Sequence, residues 1–277
     1  GTWQTIDVPH DFQISQDWVP PSADEKENNS DGASNFKSRL SARGFKEMGD
    51  GWYVKTITPA ESLKGKRVLL DFEGIMYVGD VYLNGKRIGG TDYGYLGFDI
   101  DISKLLNYGQ PNTIAVHAST SGPMNSRWYT GGGLFRDVNL ITTPADIYFA
   151  RHPLFVTTRD NHLVDLQIEV ANYTKRNEIK LRTTIADQQG NIVYDKTADM
   201  HFNRKMRTNE LKWETIDIAE PKLWSCETPH LYTATVTILD DNGNETDRTS
   251  TRFGIRTIEI GPDFGLKVNG KKVLLKG

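Results

Sequence analysis

The chain has 277 residues, a formal net charge of −3 and a single cysteine, with 37% hydrophobic and 25% charged residues. This length admits two domains with sizeable cores, and the balance excludes a disordered chain. No basic stripe is present for nucleic acid, the lone Cys226 excludes an internal disulfide or a cysteine metal site, and no apolar run reaches the roughly 20 residues that span a bilayer.

Taken in chain order, the segments read as strands nearly everywhere. The stretch from Ser22 to Asp50, with Glu25-Lys-Glu-Asn-Asn-Ser30 at its heart, is polar and poor in apolar anchors, so a long loop more mobile than the neighbouring strands is expected. Asn84-Gly85 marks a hairpin, because a type I′ turn needs positive φ at both central residues. The only plausible helical pieces are short, such as Ile102 to Leu106. Gly131-Gly-Gly133 is followed by a strand-like segment, so it is no phosphate loop, and its backbone freedom suits a segment reaching off a sandwich. At Thr142-Thr-Pro144 the texture changes, and proline there marks a junction. Beyond it, Leu163 to Val170 alternates strictly, with Val164, Leu166, Ile168 and Val170 on one face. Thr233 to Ile238 repeats the pattern, with Ala234, Val236 and Ile238 inward. Gln189-Gly190-Asn191, Asp241-Asn242-Gly243 and Asn269-Gly270 are turns.

The expected class is therefore all-β. Residues 1–145, rich in Gly, Trp and Tyr, suit a jelly-roll sandwich. Residues 146–256, with about seven short strands, suit an immunoglobulin-like sandwich without its disulfide. Residues 257–277 remain as a tail.

Several segments, in order, resemble the amino-terminal domains of family 2 glycoside hydrolases. Val8-Pro-His-Asp11 is similar to that family's Pro-His-Asp-Trp element, with Phe12 in place of Trp. Gly51-Trp-Tyr53, Val68-Leu-Leu-Asp-Phe-Glu-Gly74, Val81-Tyr-Leu-Asn-Gly85 and Gly94-Tyr-Leu-Gly-Phe-Asp99 follow. Ser126-Arg-Trp-Tyr-Thr-Gly-Gly-Gly-Leu-Phe-Arg-Asp-Val138 resembles the segment that closes the family's jelly roll. Pro221-Lys-Leu-Trp224 with Pro229-His-Leu-Tyr232, then Arg252-Phe-Gly-Ile-Arg256 and Val268 to Gly277, complete the set. Phe155-Val-Thr-Thr158 looks most like the galactosidase branch.

The resemblance implies a sugar-binding-type jelly roll, an immunoglobulin-like domain, and a lead-in (257–277) to a (β/α)₈ barrel that this chain lacks. Family 2 enzymes are retaining hydrolases whose two glutamates lie on that barrel, about 5–5.5 Å apart. No catalytic residue is therefore expected here. Asn177-Glu178, Asn209-Glu210 and Asn244-Glu245 superficially match the family's Asn-Glu acid/base pair, but read as structural. The histidines show no metal spacing, so neither a metal nor a cofactor is expected. His10 is expected to order its loop, and Arg136-Asp137 to form a buried or interfacial pair.

Arg127, Trp128 and Tyr129 are the candidates for a substrate rim. The family's matching segment reaches the barrel mouth, where aromatic faces and a guanidinium fork suit a sugar. The competing reading closes the core with the two rings and pairs Arg127 with an acid. The expected partners are the barrel itself and a β-galactoside at its mouth, with no nucleic acid and no membrane span. An autonomous carbohydrate-binding module and a structural or adhesion pair of β-sandwiches are the alternatives. Gly1 reads as a cloning scar with any export signal removed, so a bacterial periplasmic or extracellular location is expected, the cytoplasm remaining open.

Overall fold

The computed structural model describes residues 3–19, 45–121, 130–203 and 209–276. The polypeptide forms two compact units, Gly1–Thr142 and Thr143–Gly277. Among the described residues, regular structure is all strand apart from two 3-10 turns, Gln13–Ser15 and Glu61–Leu63. Ile102 to Leu106 is a correction to the expected helix. It closes as a turn, with Leu105 and Leu106 N–H both donating to Ile102 O, and the fully buried Ile102 fixes it to the core.

The first unit stacks two sheets as the expected jelly roll. Strands β1 (Asp50–Ile57), β3 (Val78–Leu83), β4 (Lys86–Thr91) and β6 (Asn112–Ser119) form one, in the order β1-β6-β3-β4. The other comprises β2 (Arg67–Phe72), β5 (Phe98–Asp101) and β7 (Val138–Thr143), in the order β5-β2-β7. Alternation decides the faces. In β6, Ile114, Val116 and Ala118 point inward and Ala115 and His117 outward. The central β2 is buried along nearly its whole length, as a run with few polar positions should be. Asn84 and Gly85, at φ 50° and 81°, make the two-residue turn between β3 and β4.

The second unit is a sandwich of β8 (Ile147–Arg159), β9 (Leu163–Asn172) and β12 (Asn209–Asp217) over β10 (Glu178–Ala186), β11 (Ile192–His201), β13 (Tyr232–Leu239) and β14 (Glu245–Phe253). The orders are β12-β9-β8 and β11-β10-β13-β14, the seven-strand immunoglobulin-like arrangement. Val164, Leu166, Ile168 and Val170 are completely buried, as their spacing requires. A corner typical of such sandwiches is present: the Tyr232 hydroxyl, at the start of β13, accepts from Lys222 N–H at 2.8 Å. Residues 258–273 form a small meander of β15 (Ile258–Gly261), β16 (Gly265–Val268) and β17 (Lys271–Val273), with Asn269-Gly270 as its second turn. Cys226 is exposed, in the Trp224–Pro229 loop.

Candidate functional site

The most elaborate local structure surrounds the Pro-His-Asp segment. His10 N–H donates to Leu134 O at 2.7 Å and Phe12 N–H to Gly132 O at 2.9 Å, so residues 10–12 pair with residues 132–134 along one side. On the other side, Gly133 and Met76 exchange two backbone hydrogen bonds of 2.9 Å. The Asp11 carboxylate accepts from Gly132 N–H at 2.8 Å and from Gln13 N–H at 2.9 Å. His10 Nδ1 lies 3.0 Å from the Tyr53 hydroxyl, which orders the loop as expected of that histidine.

The three glycines correct the expectation of flexibility. A Cβ on Gly131 would lie 2.4 Å from the Asp11 carboxylate, one on Gly132 2.4 Å from Thr120, and one on Gly133 2.1 Å from the Tyr53 hydroxyl. Gly131 and Gly133 also have positive φ. All three positions are buried. Glycine is needed here for close approach, and the segment is clamped rather than loose.

Electrostatics supports the clamp. Burial, assisted by the Asp11 charge, pushes the Tyr53 phenol up to about 12, so it stays protonated at neutral pH. Gln13 is fully buried, and its amide has no hydrogen-bond partner among the described residues. Sequence reasoning missed Asp11, Gln13 and Tyr53. The available signal was the pairing of an acid after Pro-His with three adjacent glycines.

Arg127, Trp128 and Tyr129 lie outside the described residues, as does most of the Ser22–Asp50 stretch. The structure gives instead the two roots of the segment that carries the rim candidates. On one side Thr120, completely buried, donates its N–H to Gly49 O at 2.9 Å and accepts from Gly49 N–H at 3.1 Å. On the other, Thr130 Oγ1 bonds to the Tyr77 hydroxyl at 3.3 Å, ahead of the glycine clamp. These groups position backbone; none presents a free nucleophile or a carboxylate pair.

The remaining expectations divide. Arg136 and Asp137 are both exposed, so they are not the buried half of the expectation: burial ends at Leu134 and Arg136 turns outward over the Phe135 ring at 5.1 Å. Each glutamate of the three Asn-Glu steps has a local partner: Glu178 pairs with His201 at 2.8 Å, Glu210 accepts from Asn203 N–H at 3.0 Å, and Glu245 pairs with Arg248 at 2.6 Å. Among the described residues, no group of three or more His, Cys, Asp or Glu could hold a metal ion, and no helix is long and apolar enough to cross a membrane.

Comparison with known proteins agrees with this architecture. Residues 150–256 match the family model of glycosyl hydrolases family 2, and residues 40–127 match its galactose-binding domain-like model. The chain belongs to family 2 of the glycosyl hydrolases. It is similar to a β-galactosidase of Bacteroides ovatus, 28% identical over 99% of this chain and 31% of that protein. A β-glucuronidase of Bacteroides fragilis is 27% identical over 88% of this chain and 36% of its own length. A crystal structure of a family 2 member from Bacteroides cellulosilyticus superposes with a TM-score of 0.80 at 29% identity, covering 97% of this chain and 35% of that one. The chain thus spans about a third of the length of these relatives.

Proposed function

We propose that this chain is the non-catalytic part of a retaining β-glycoside hydrolase, supporting a (β/α)₈ barrel and shaping the rim of its substrate pocket. One observation carries the reading. A chain that is all strand, with its sequence matched throughout by family 2 glycosidases, corresponds to only about a third of their length. The family's two glutamates then belong to the remainder, on a fold whose active site lies at the carboxyl ends of its strands. A β-galactoside is the favoured substrate, on the likeness of Phe155-Val-Thr-Thr158 and of the B. ovatus relative. The B. fragilis relative favours a glucuronide as the second reading. Action on an extracellular or periplasmic glycan fits both.

The test follows release of a chromophore from aryl β-galactoside and aryl β-glucuronide. The 277-residue chain is expected to be inactive, and the full-length enzyme to prefer the galactoside. Activity of the chain within about a factor of ten of the full-length enzyme would overturn the assignment. In the full-length enzyme, Arg127→Ala and Trp128→Ala should each raise KM more than they lower kcat, because rim contacts act mainly on binding. One lost polar or stacking contact is worth about 1–3 kcal/mol, roughly 5- to 150-fold. Unchanged kinetics would retire the rim assignment, while a collapsed melting temperature would favour core packing.

A further inference from the structure

The outer face of the β1-β6-β3-β4 sheet carries a built aromatic surface made of residues other than the rim candidates. One register row runs Trp52, His117, Asp80, Gly90 across the four strands. The adjacent row on that face is Val54, Ala115, Tyr82. Trp52 and Tyr82 start two strands apart, about 10 Å, yet their ring centroids are 5.7 Å apart. Both rings therefore lean inward over β6, where Ala115 offers no bulk.

The Trp52 ring is held in place. It stacks on the His117 imidazole at 4.8 Å and 30°. That imidazole is fixed in turn, with Nε2 3.0 Å from Asp50 Oδ1 and Nδ1 3.9 Å from Asp80 Oδ2. Arg87 Nε donates to Asp80 Oδ1 at 2.6 Å. At the end of the row Gly90 keeps the surface low, since a Cβ there would meet Gly79 O at 2.1 Å and Arg87 Nη2 at 3.3 Å. Even so, Trp52 is 50% exposed. A cross-strand Trp–His pair needs contact alone for its stabilising effect. A ring immobilised from beneath, open above, and rimmed by two carboxylates, a guanidinium and a phenol has a further use.

We infer that this face is a binding platform for a neutral oligosaccharide. The open face of Trp52 receives the apolar C–H face of a pyranose, and Asp50, Asp80 and Arg87 bond to its hydroxyls. Ring order fixed in advance removes part of the entropy loss on binding. Two carboxylates outnumber the single guanidinium, so a uronate chain is repelled and an uncharged one is accepted. The inference shares no residue with the rim assignment, so either can fail alone.

The experiment titrates the 277-residue chain with β-1,4-galactotetraose, by calorimetry and by the Trp52 indole N–H resonance, assigned from its loss in Trp52→Phe. Expected is saturable binding at about 1 mM or tighter, with the Trp52 resonance shifting along the same curve. Trp52→Ala should weaken binding at least about tenfold and Trp52→Phe by less than about threefold, because stacking needs a ring and not its nitrogen. Trp213→Ala, an exposed tryptophan of the second unit, should leave affinity unchanged. A Trp52 resonance that does not move would overturn the inference, even if Trp52→Ala fails to fold. So would equal affinity in a folded Trp52→Ala, or tighter binding of tetragalacturonate.

Discussion

At the scale of single residues, Gly133 carries the tightest constraint in the clamp. Its φ of 121° and the 2.1 Å approach of the Tyr53 hydroxyl leave no room for a methyl group. Gly133→Ala should lower stability by about 3 kcal/mol or more, combining backbone strain with the shift of the half-buried Tyr53 side chain. Gly190→Ala is the contrast. It also has positive φ, 87°, but nothing lies within 4 Å of its Cβ position, so its cost should stay near 1 kcal/mol. Urea denaturation of the two variants checks the difference, and equal effects would remove the steric argument. Tyr53 has its own signature. Its phenol is pushed from 10.0 up to about 12 in the folded chain. Below pH 10 it is neutral in both folded and unfolded states, and its contribution is complete. Between pH 10 and 12 only the unfolded form ionises, so stability falls across that window. Tyr53→Phe should cost about 1–2 kcal/mol below pH 10 for the lost His10 contact, and that difference should shrink as pH rises from 10 to 12, flattening part of the alkaline decline in melting temperature. An unaltered alkaline slope would contradict the assignment.

At the scale of elements, the sandwich of the second unit is tied at its corner by Tyr232 and across its layers by Glu214. Tyr232→Phe leaves Lys222 N–H without its acceptor and should cost about 1–2 kcal/mol in thermal melts with the fold retained. Strand β9 was legible in the sequence because its alternation is strict and its inward face is apolar throughout. Strand β12 was not. Its bulky apolar residues Leu211 and Trp213 face solvent, at 45% and 67% exposure, while Glu210, Lys212 and Glu214 share the face of buried Ile216. Register with β9 decides this, pairing Ile216 with Val164 and Glu214 with Leu166. Glu214 is tolerated there because the Tyr194 hydroxyl donates to it at 2.8 Å and Thr183 Oγ1 at 3.1 Å. Burial and that bond push the Tyr194 phenol up. A single-strand pattern contains none of this, since the partners come from β10 and β11. The clamp was half legible for the same reason. Three glycines in a row announce special backbone, but only the folded chain brings Asp11, Thr120 and Tyr53 against them.

At the scale of the whole molecule, stability should have an acid limb with many small contributions. Asp165, beside Arg159 and Thr215, Asp195, beside Arg182, and Asp187 and Asp240, which cap their own turns, all titrate below the ordinary 3.8. Their stabilising effects are complete above that value and are lost as pH falls through the lower folded values. Asp247 opposes the trend, because burial pushes its carboxyl up, and offsets part of the loss. Melting temperature should therefore hold steady from about pH 5 to 8 and decline between about pH 4 and 2. A melting temperature independent of pH down to about 2 would show that these pairs are screened to insignificance. The roots of residues 122–129 have a consequence for how such a protein diversifies. Thr120 is fastened to Gly49 on one side, and Gly131 to Gly133 are fastened to Asp11, Phe12 and Met76 on the other. Both anchors are backbone hydrogen bonds and close glycine approaches rather than contacts of the stretch itself. A relative that changes the length or chemistry of that stretch, by graft or by drift, can therefore keep the same two points of attachment.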